Sequence, residues 1–149
     1  MQNIIDTFGQ PGESNLVTMS LPYPMRLAWD LSTRVNKMRC HKLLKQSFDN
    51  TFIALQNYYG RAGLEELGID IFGGCYNYRK MRGGSKLSLH SWGIAIDLHP
   101  EMNQLKWDDT RALFATPDYE RMIEIFDEHG FDSLGRLKNY DWMHFQAKL

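Results

Sequence analysis

Cysteine is scarce in this sequence: Cys40 and Cys75 are the two in 149 residues. They form no C-x-x-C pair, which excludes a disulfide scaffold and a cysteine-rich zinc fold. They read as two buried thiols, with a single bridge between them left open. Net charge is also lacking, since 17 Lys and Arg residues nearly balance 18 Asp and Glu to give −1. That removes any bulk electrostatic case for nucleic acid or an anionic membrane as partner. No apolar run approaches the length of a membrane span. Residues 1–10 show neither a basic n-region nor an apolar h-region, so the expectation is a chain without a secretory signal, located in the cytoplasm on synthesis. The basic run Arg79-Lys80-Met81-Arg82-Gly83-Gly84-Ser85-Lys86 lacks the G-x-x-x-x-G-K-[ST] spacing of a nucleotide loop. Internal repeats and low-complexity tracts are absent. What remains is a chain long enough for one domain with a real core, 43% hydrophobic, expected to be a monomer over residues 1–149 with no separate binding domain.

Residues 1–32 are expected to form an irregular N-terminal arm, because Gly9, Pro11, Gly12, Pro22 and Pro24 punctuate them. Met19, Leu21, Met25 and Leu27 are too apolar for a free tail, so the arm should cover the core; the other reading puts Tyr23, Arg26 or Trp29 in a cleft. Asp30-Leu31-Ser32 predicts a cap for a helix over 33–59, with Leu44, Phe48, Phe52 and Leu55 as its apolar stripe and Gly60 as its stop. A short helical turn over 61–67 ends at Gly68. Ile69, Ile71 and residues 75–78 suggest strand, interrupted by Gly73-Gly74. A second helix is predicted over 117–129, started by Thr116-Pro117 and ended by Gly130. Residues 135–139 read as a turn and 140–146 as the last strand.

The chemistry concentrates in Ser88-Leu89-His90-Ser91-Trp92-Gly93-Ile94-Ala95-Ile96-Asp97-Leu98. Ile94, Ile96 and Leu98 alternate, which predicts a half-buried strand with Asp97 on its other face, flanked by small residues that leave room for a metal. His90 lies just before that strand, with Gly93 allowing the chain to turn between the two ligands. Tyr140-Asp141-Trp142-Met143-His144-Phe145-Gln146 adds a third ligand, His144, and a carboxylate, Asp141. Two histidines and one carboxylate, with a fourth position left for water, is the ligand count of a catalytic zinc site. In a regular strand Asp141 and His144 would point to opposite faces. For both to reach one site, the chain must bulge near Trp142 or Asp141 must lie just before the strand. His41 and His99 are weaker candidates near the metal, and His129 reads as a helix-terminal residue.

The pattern Ser-x-His-x-x-Gly-x-Ala-x-Asp (Ser88, His90, Gly93, Ala95, Asp97), followed by acid-x-x-His-Phe (Asp141, His144, Phe145), resembles the D-alanyl-D-alanine carboxypeptidase family of zinc peptidases. That family includes VanY-type carboxypeptidases and phage endolysins that cut L-Ala-D-Glu. The clear resemblance covers about Gly73 to the C-terminus. It implies an α+β fold with a small antiparallel sheet carrying Asp97 and His144 and the helices packed on one face. It also implies one zinc per chain on His90, Asp97 and His144, Asp141 as general base, and a peptidoglycan stem peptide as substrate. The family's Tyr-Arg pair is matched by Tyr78-Arg79, so Arg79 is expected to stabilise the oxyanion or hold a substrate carboxylate. Lys80 stands where the family usually has Ser, and Arg82 is the rival arginine. Ser88 is expected to fix the loop near the metal, and Trp92 to wall the groove or sit in the core. Asp141 is a Glu in many relatives, and Gln146 replaces the Glu that many carboxypeptidases carry after His-Phe. The expected activity is a phage-type endolysin cutting L-Ala-D-Glu. The alternatives are a D-Ala-D-Ala carboxypeptidase and a non-catalytic zinc-containing peptidoglycan-binding module, since the hedgehog signalling domain resembles this fold without making zinc a proof of catalysis.

Overall fold

The longest regular feature lies where the sequence predicts an arm and a helix. In the computed structural model, which describes residues 2–149, strands β1 (Leu16–Leu27) and β2 (Asp30–His41) form an antiparallel hairpin. The irregular reading of residues 1–32 and the helical reading of 33–41 are both corrected. Pro22 and Pro24 mislead because they look incompatible with any ladder. They fall inside a register shift between Ser20 and Met25, where no β1–β2 partner needs their missing N–H. Asp30, taken from the sequence as a helix cap, instead accepts hydrogen bonds from Ser32 and Thr33 at the start of β2, just after the hairpin turn. Short-range cap chemistry is shared by turns and helix starts, and the long-range pairing decides between them. Helix α1 (Gln2–Phe8) precedes the hairpin.

Helix α2 (Lys45–Leu67) carries the expected stripe: Phe48, Phe52 and Leu55 are fully buried, and Leu44, just before it, is half-buried. Gly60, at a non-helical φ 72° and ψ 164°, breaks this element into two helical segments, in line with the expected stop at Gly60 and the short helical stretch that follows it. The second segment ends, as expected, at Gly68, in the left-handed conformation at φ 72°. Strand β3 (Ile71–Gly74) includes both glycines read as an interruption, and residues 75–78 leave the sheet as loop. Gly73 fits the strand because its Cα runs close to β4: a Cβ there would lie 3.0 Å from the Asp97 carbonyl oxygen.

Strands β4 (Ala95–Leu98), β5 (Phe131–Ser133) and β6 (His144–Ala147) complete a six-stranded sheet in the order β2-β1-β3-β4-β6-β5. The α+β expectation holds, but the sheet is mixed: β1 and β3 are parallel, and the other pairs are antiparallel. The predicted helix at 117–129 is a 3₁₀ turn over Pro117–Tyr119 followed by α3 (Glu120–Glu128). The Thr116 hydroxyl does not cap it and donates instead to the Leu113 carbonyl. Residues 135–139, read as a turn, belong mostly to α4 (Leu134–Lys138), which Asn139 ends at φ 57°.

α2 and α3 bury one core against Ile96, Leu98 and Phe145 of the central strands. Phe126 stacks on Phe145 at 4.0 Å, and Phe48 meets Phe131 at 4.5 Å. Arg26 and Tyr23 serve this body rather than a cleft. Arg26 forks onto the buried Asp70 carboxylate at 2.9 and 2.7 Å, and Tyr23 is buried beside Phe52. Trp29 lies exposed at the tip of the hairpin. Cys40 and Cys75 are both free and buried. No helix among the described residues is long and apolar enough to cross a membrane.

Candidate metal centre and active site

Strand parity builds the site. Asp97 pairs with His144 across β4 and β6, so both side chains leave the same face of the sheet, and Ala95 opposite Gln146 continues that face. Ile96, Leu98 and Phe145, on the other parity, are buried in the core that α2 and α3 fill. One packing decision thus fixes two of the three donors.

The third donor, His90, sits in the 3₁₀ turn Leu89–Trp92. Ser88 caps this turn, its hydroxyl accepting from the His90 N–H at 3.3 Å. The turn ends at Gly93, φ 70°, where a Cβ would lie 2.7 Å from a Leu16 methyl and 2.9 Å from the His41 backbone nitrogen. Glycine is therefore required there both by the left-handed backbone and by the close passage of β2. The Ser91 hydroxyl ties the turn to Arg79, accepting from its N–H at 3.1 Å and donating to its carbonyl at 3.0 Å.

His90 Nε2, the Asp97 carboxylate and His144 Nδ1 converge. His90 Nε2 lies 3.2 Å from Asp97 Oδ2, and His144 Nδ1 lies 3.2 Å from Asp97 Oδ1. One donor atom from each of the three lies within 4.8 Å of the others. The outer partners suit a metal. His90 Nδ1 is 2.8 Å from the Cys75 carbonyl, so it carries the proton there and leaves Nε2 bare. That Nε2 is buried without a hydrogen-bond partner. His144 Nε2 is 3.0 Å from Gln146 Oε1, which places its proton on Nε2 and leaves Nδ1 bare toward Asp97. With their other nitrogens engaged by oxygen acceptors, His90 Nε2 and His144 Nδ1 face the Asp97 carboxylate as the donor set a divalent cation such as zinc requires; burial opposes a proton on His144 but Asp97 raises its pKa overall, so a cation would bind there in competition with a proton. Burial alone would raise the Asp97 pKa, but the adjoining imidazoles of His144 and His90, when they carry a proton toward it, outweigh burial and hold the carboxyl well below its ordinary range.

Asp141 lies just before β6, which resolves the parity conflict without a bulge in the strand. It adopts φ 55°, its N–H donates to the Leu105 carbonyl at 2.8 Å, and its own carbonyl accepts from the His144 N–H at 3.0 Å. Residues 141–143 thus turn back, and β6 begins at His144 rather than at Tyr140. Asp141 borders the same cavity as His90, Asp97 and His144. Burial raises its pKa to about 6; the neighbouring Asp97 adds to this, while His144, His90 and Arg79 oppose it.

The cavity has a volume of about 530 Å³. Arg79, Arg82 and Ser88 border it, together with Leu105 and Lys106, which no motif singles out. Of the two readings of Trp92 the core one holds and the groove wall does not: it is buried with Ile4, Phe8 and Ile94, and its Nε1 donates to the Gly9 carbonyl at 2.9 Å. Trp142 is also mostly buried, and a Cβ on Gly135 would collide with its ring. His41 is bound to the Phe8 carbonyl at 2.7 Å, and His99 packs against Phe114. Neither belongs to the three-donor group. His129 bonds the Ile125 carbonyl at 2.7 Å, in keeping with its place at a helix end.

Two findings were out of reach of the motifs. Gln146 follows His144 at strand spacing, so parity could have suggested it as a partner. Nothing local marks the Cys75 carbonyl, which reaches His90 only because β3 pairs with β4 and delivers the chain beneath that turn.

Residues 82–147 match the D-alanyl-D-alanine carboxypeptidase family. The matched segment contains His90, Asp97, Asp141 and His144, and it agrees with the resemblance carried by the two motifs. No curated protein and no solved structure matches the chain. The match spans less than half of the chain and marks a likeness to that family over the segment that carries the three donors and Asp141.

Proposed function

We propose that the protein is a zinc-dependent peptidase that hydrolyses peptidoglycan stem peptides, cutting the L-Ala-D-Glu bond as phage endolysins of this family do. The observation that carries the reading is the joint placement of His90, Asp97, His144 and Asp141 on one cavity. A binding module needs no half-buried carboxylate held in a left-handed turn beside its metal donors, so Asp141 favours catalysis over a binding role. His90, Asp97 and His144 would hold a zinc, which would supply Lewis acidity and make water nucleophilic near neutral pH.

The residues divide the work. Asp141 takes the proton from the attacking water onto its carboxylate and passes it to the leaving amine. Arg79, tied through Ser91 to the turn that holds His90, presents a guanidinium for the oxyanion of the tetrahedral transition state. Arg79→Ala is expected to lower kcat/KM by about 10²–10³, the usual cost of one oxyanion donor. Arg82→Ala should leave kcat within a few-fold; a larger fall in kcat for Arg82→Ala than for Arg79→Ala reverses the two roles.

The pH profile follows from the burial of Asp141. A base works only when deprotonated, so kcat/KM should rise with pH through the Asp141 pKa and flatten above it. Burial sets that value at about 6, and a divalent charge nearby draws it down. The acid limb is therefore expected at or below about pH 6, and a limb centred well above pH 7 would exclude Asp141 as its source.

Digestion of purified peptidoglycan with the zinc-loaded protein, followed by mass spectrometry, tests the reading. New free amino groups on D-Glu establish the endopeptidase. Release of D-alanine instead establishes the D-Ala-D-Ala carboxypeptidase, the activity that the family's description names. No product from a fully zinc-loaded, folded protein would overturn the catalytic reading.

A further inference from the structure

Lys106 is an exposed residue on the cavity, in a segment that the motifs leave out. Its ammonium group has no hydrogen-bond or ion-pair partner among the described residues, and neither has the guanidinium of Arg82. The two cations reach the cavity from separate parts of the chain, Arg82 from the loop before His90 and Lys106 from the stretch after β4.

The backbone that presents Lys106 is fixed. Asn103 is fully buried, its amide donating to the His99 carbonyl at 3.0 Å and its side-chain oxygen accepting from the Phe114 N–H at 2.8 Å. The Leu105 carbonyl accepts the Asp141 N–H at 2.8 Å. The Asn139 side chain receives the Asp109 N–H at 2.8 Å. The Arg111 guanidinium lies over the Trp107 ring, 4.2 Å from its centroid. Lys106 is therefore one residue from the bond that holds Asp141, on a loop pinned on both sides. A cation kept unpaired beside the reacting centre, next to apolar Leu105, Leu134 and Met143, lacks only an anion to complete it.

We infer that Lys106 and Arg82 form a carboxylate-binding wall that makes the cleft select peptides carrying a free carboxylate beside the scissile bond. The substrate part of this inference rests on the peptidase reading. Stem peptides in which that carboxylate is amidated would be poor ligands, because an amide places N–H groups against two cationic donors.

The test is binding, so that it does not depend on turnover. The zinc-loaded Asp141→Asn protein is titrated calorimetrically with L-Ala-γ-D-Glu-L-Lys-D-Ala-D-Ala, with the same peptide amidated at the Glu α-carboxylate, and with the peptide amidated at its C-terminus. One amidation should weaken binding roughly tenfold to hundredfold, the range for a hydrogen bond to a charged group. Adding Lys106→Gln should weaken the free acid by a similar factor while leaving that amide unchanged; Lys106→Arg should restore it, and Arg82→Gln should act in the same direction. Equal binding of all three peptides, or an equal loss on all three in Lys106→Gln, would overturn the inference. Wild-type turnover is followed in parallel. Hydrolysis without carboxylate discrimination removes the wall and keeps the peptidase; discrimination without hydrolysis does the reverse.

Discussion

Asp141→Asn is expected to lower kcat by about 10²–10⁴, the usual contribution of a positioned general base, while zinc content and melting temperature stay near wild type. Asparagine keeps the size and the polar contacts of the side chain but cannot accept the proton. It also tolerates the left-handed backbone that Asp141 adopts at φ 55°, so the turn and its bonds to Leu105 and His144 should survive. Alanine at 141 would confound the measurement, because it adds backbone strain to the lost carboxylate. Stopped-flow or steady-state kinetics on a soluble stem peptide, with metal analysis on the same samples, separates the effects. A variant that retains zinc and turns over at the wild-type rate would remove Asp141 from the mechanism.

His90→Ala should abolish stoichiometric zinc and, with it, hydrolysis. It deletes one of three donors and leaves the Cys75 carbonyl without its imidazole partner. The milder companion is Gln146→Leu, which removes only the acceptor that keeps the His144 proton on Nε2. Loss of such an outer partner typically costs 10–100-fold in metal affinity, so Gln146→Leu should bind zinc more weakly by about that factor. Competition with a chelator of known affinity measures both variants, and circular dichroism reports the fold. The fold should persist without metal. The core that joins Phe48, Phe52, Ile96, Phe126 and Phe145 is built by the sheet and the helices rather than by the donors. Unfolding of metal-free wild type would show instead that the site is a structural staple.

These two experiments bear on different links. Asp141 concerns the chemistry of a formed site, whereas His90 and Gln146 concern its formation. Their outcomes can therefore disagree, and the disagreement would be informative. Zinc retained with no hydrolysis in wild type would support a binding module of the hedgehog kind; zinc lost with hydrolysis retained would mean that the donors are not the reaction centre.

The sequence by itself determined the donor set and its local geometry. The alternation of Ile94, Ile96 and Leu98 placed Asp97 on the free face of a strand, and Gly93 marked the left-handed turn after His90. The conflict between Asp141 and His144 was also visible there, with one of its two solutions later found: the acid lies just before the strand. Such features depend on neighbours two to four residues away, which is the range over which side-chain parity and turn chemistry act. The tertiary structure decided everything that depends on distant pairing. Residues 30–41 became strand because β1 supplies a partner, and local signals shared by turns and helix caps could not show this. Trp92 went inside because α1 covers it, Cys75 came under His90 because β3 pairs with β4, and Lys106 reached the cavity because Leu105 bonds to Asp141. Away from the tip of the hairpin, the deciding contacts join residues more than ten positions apart in the chain, where periodicity carries no information.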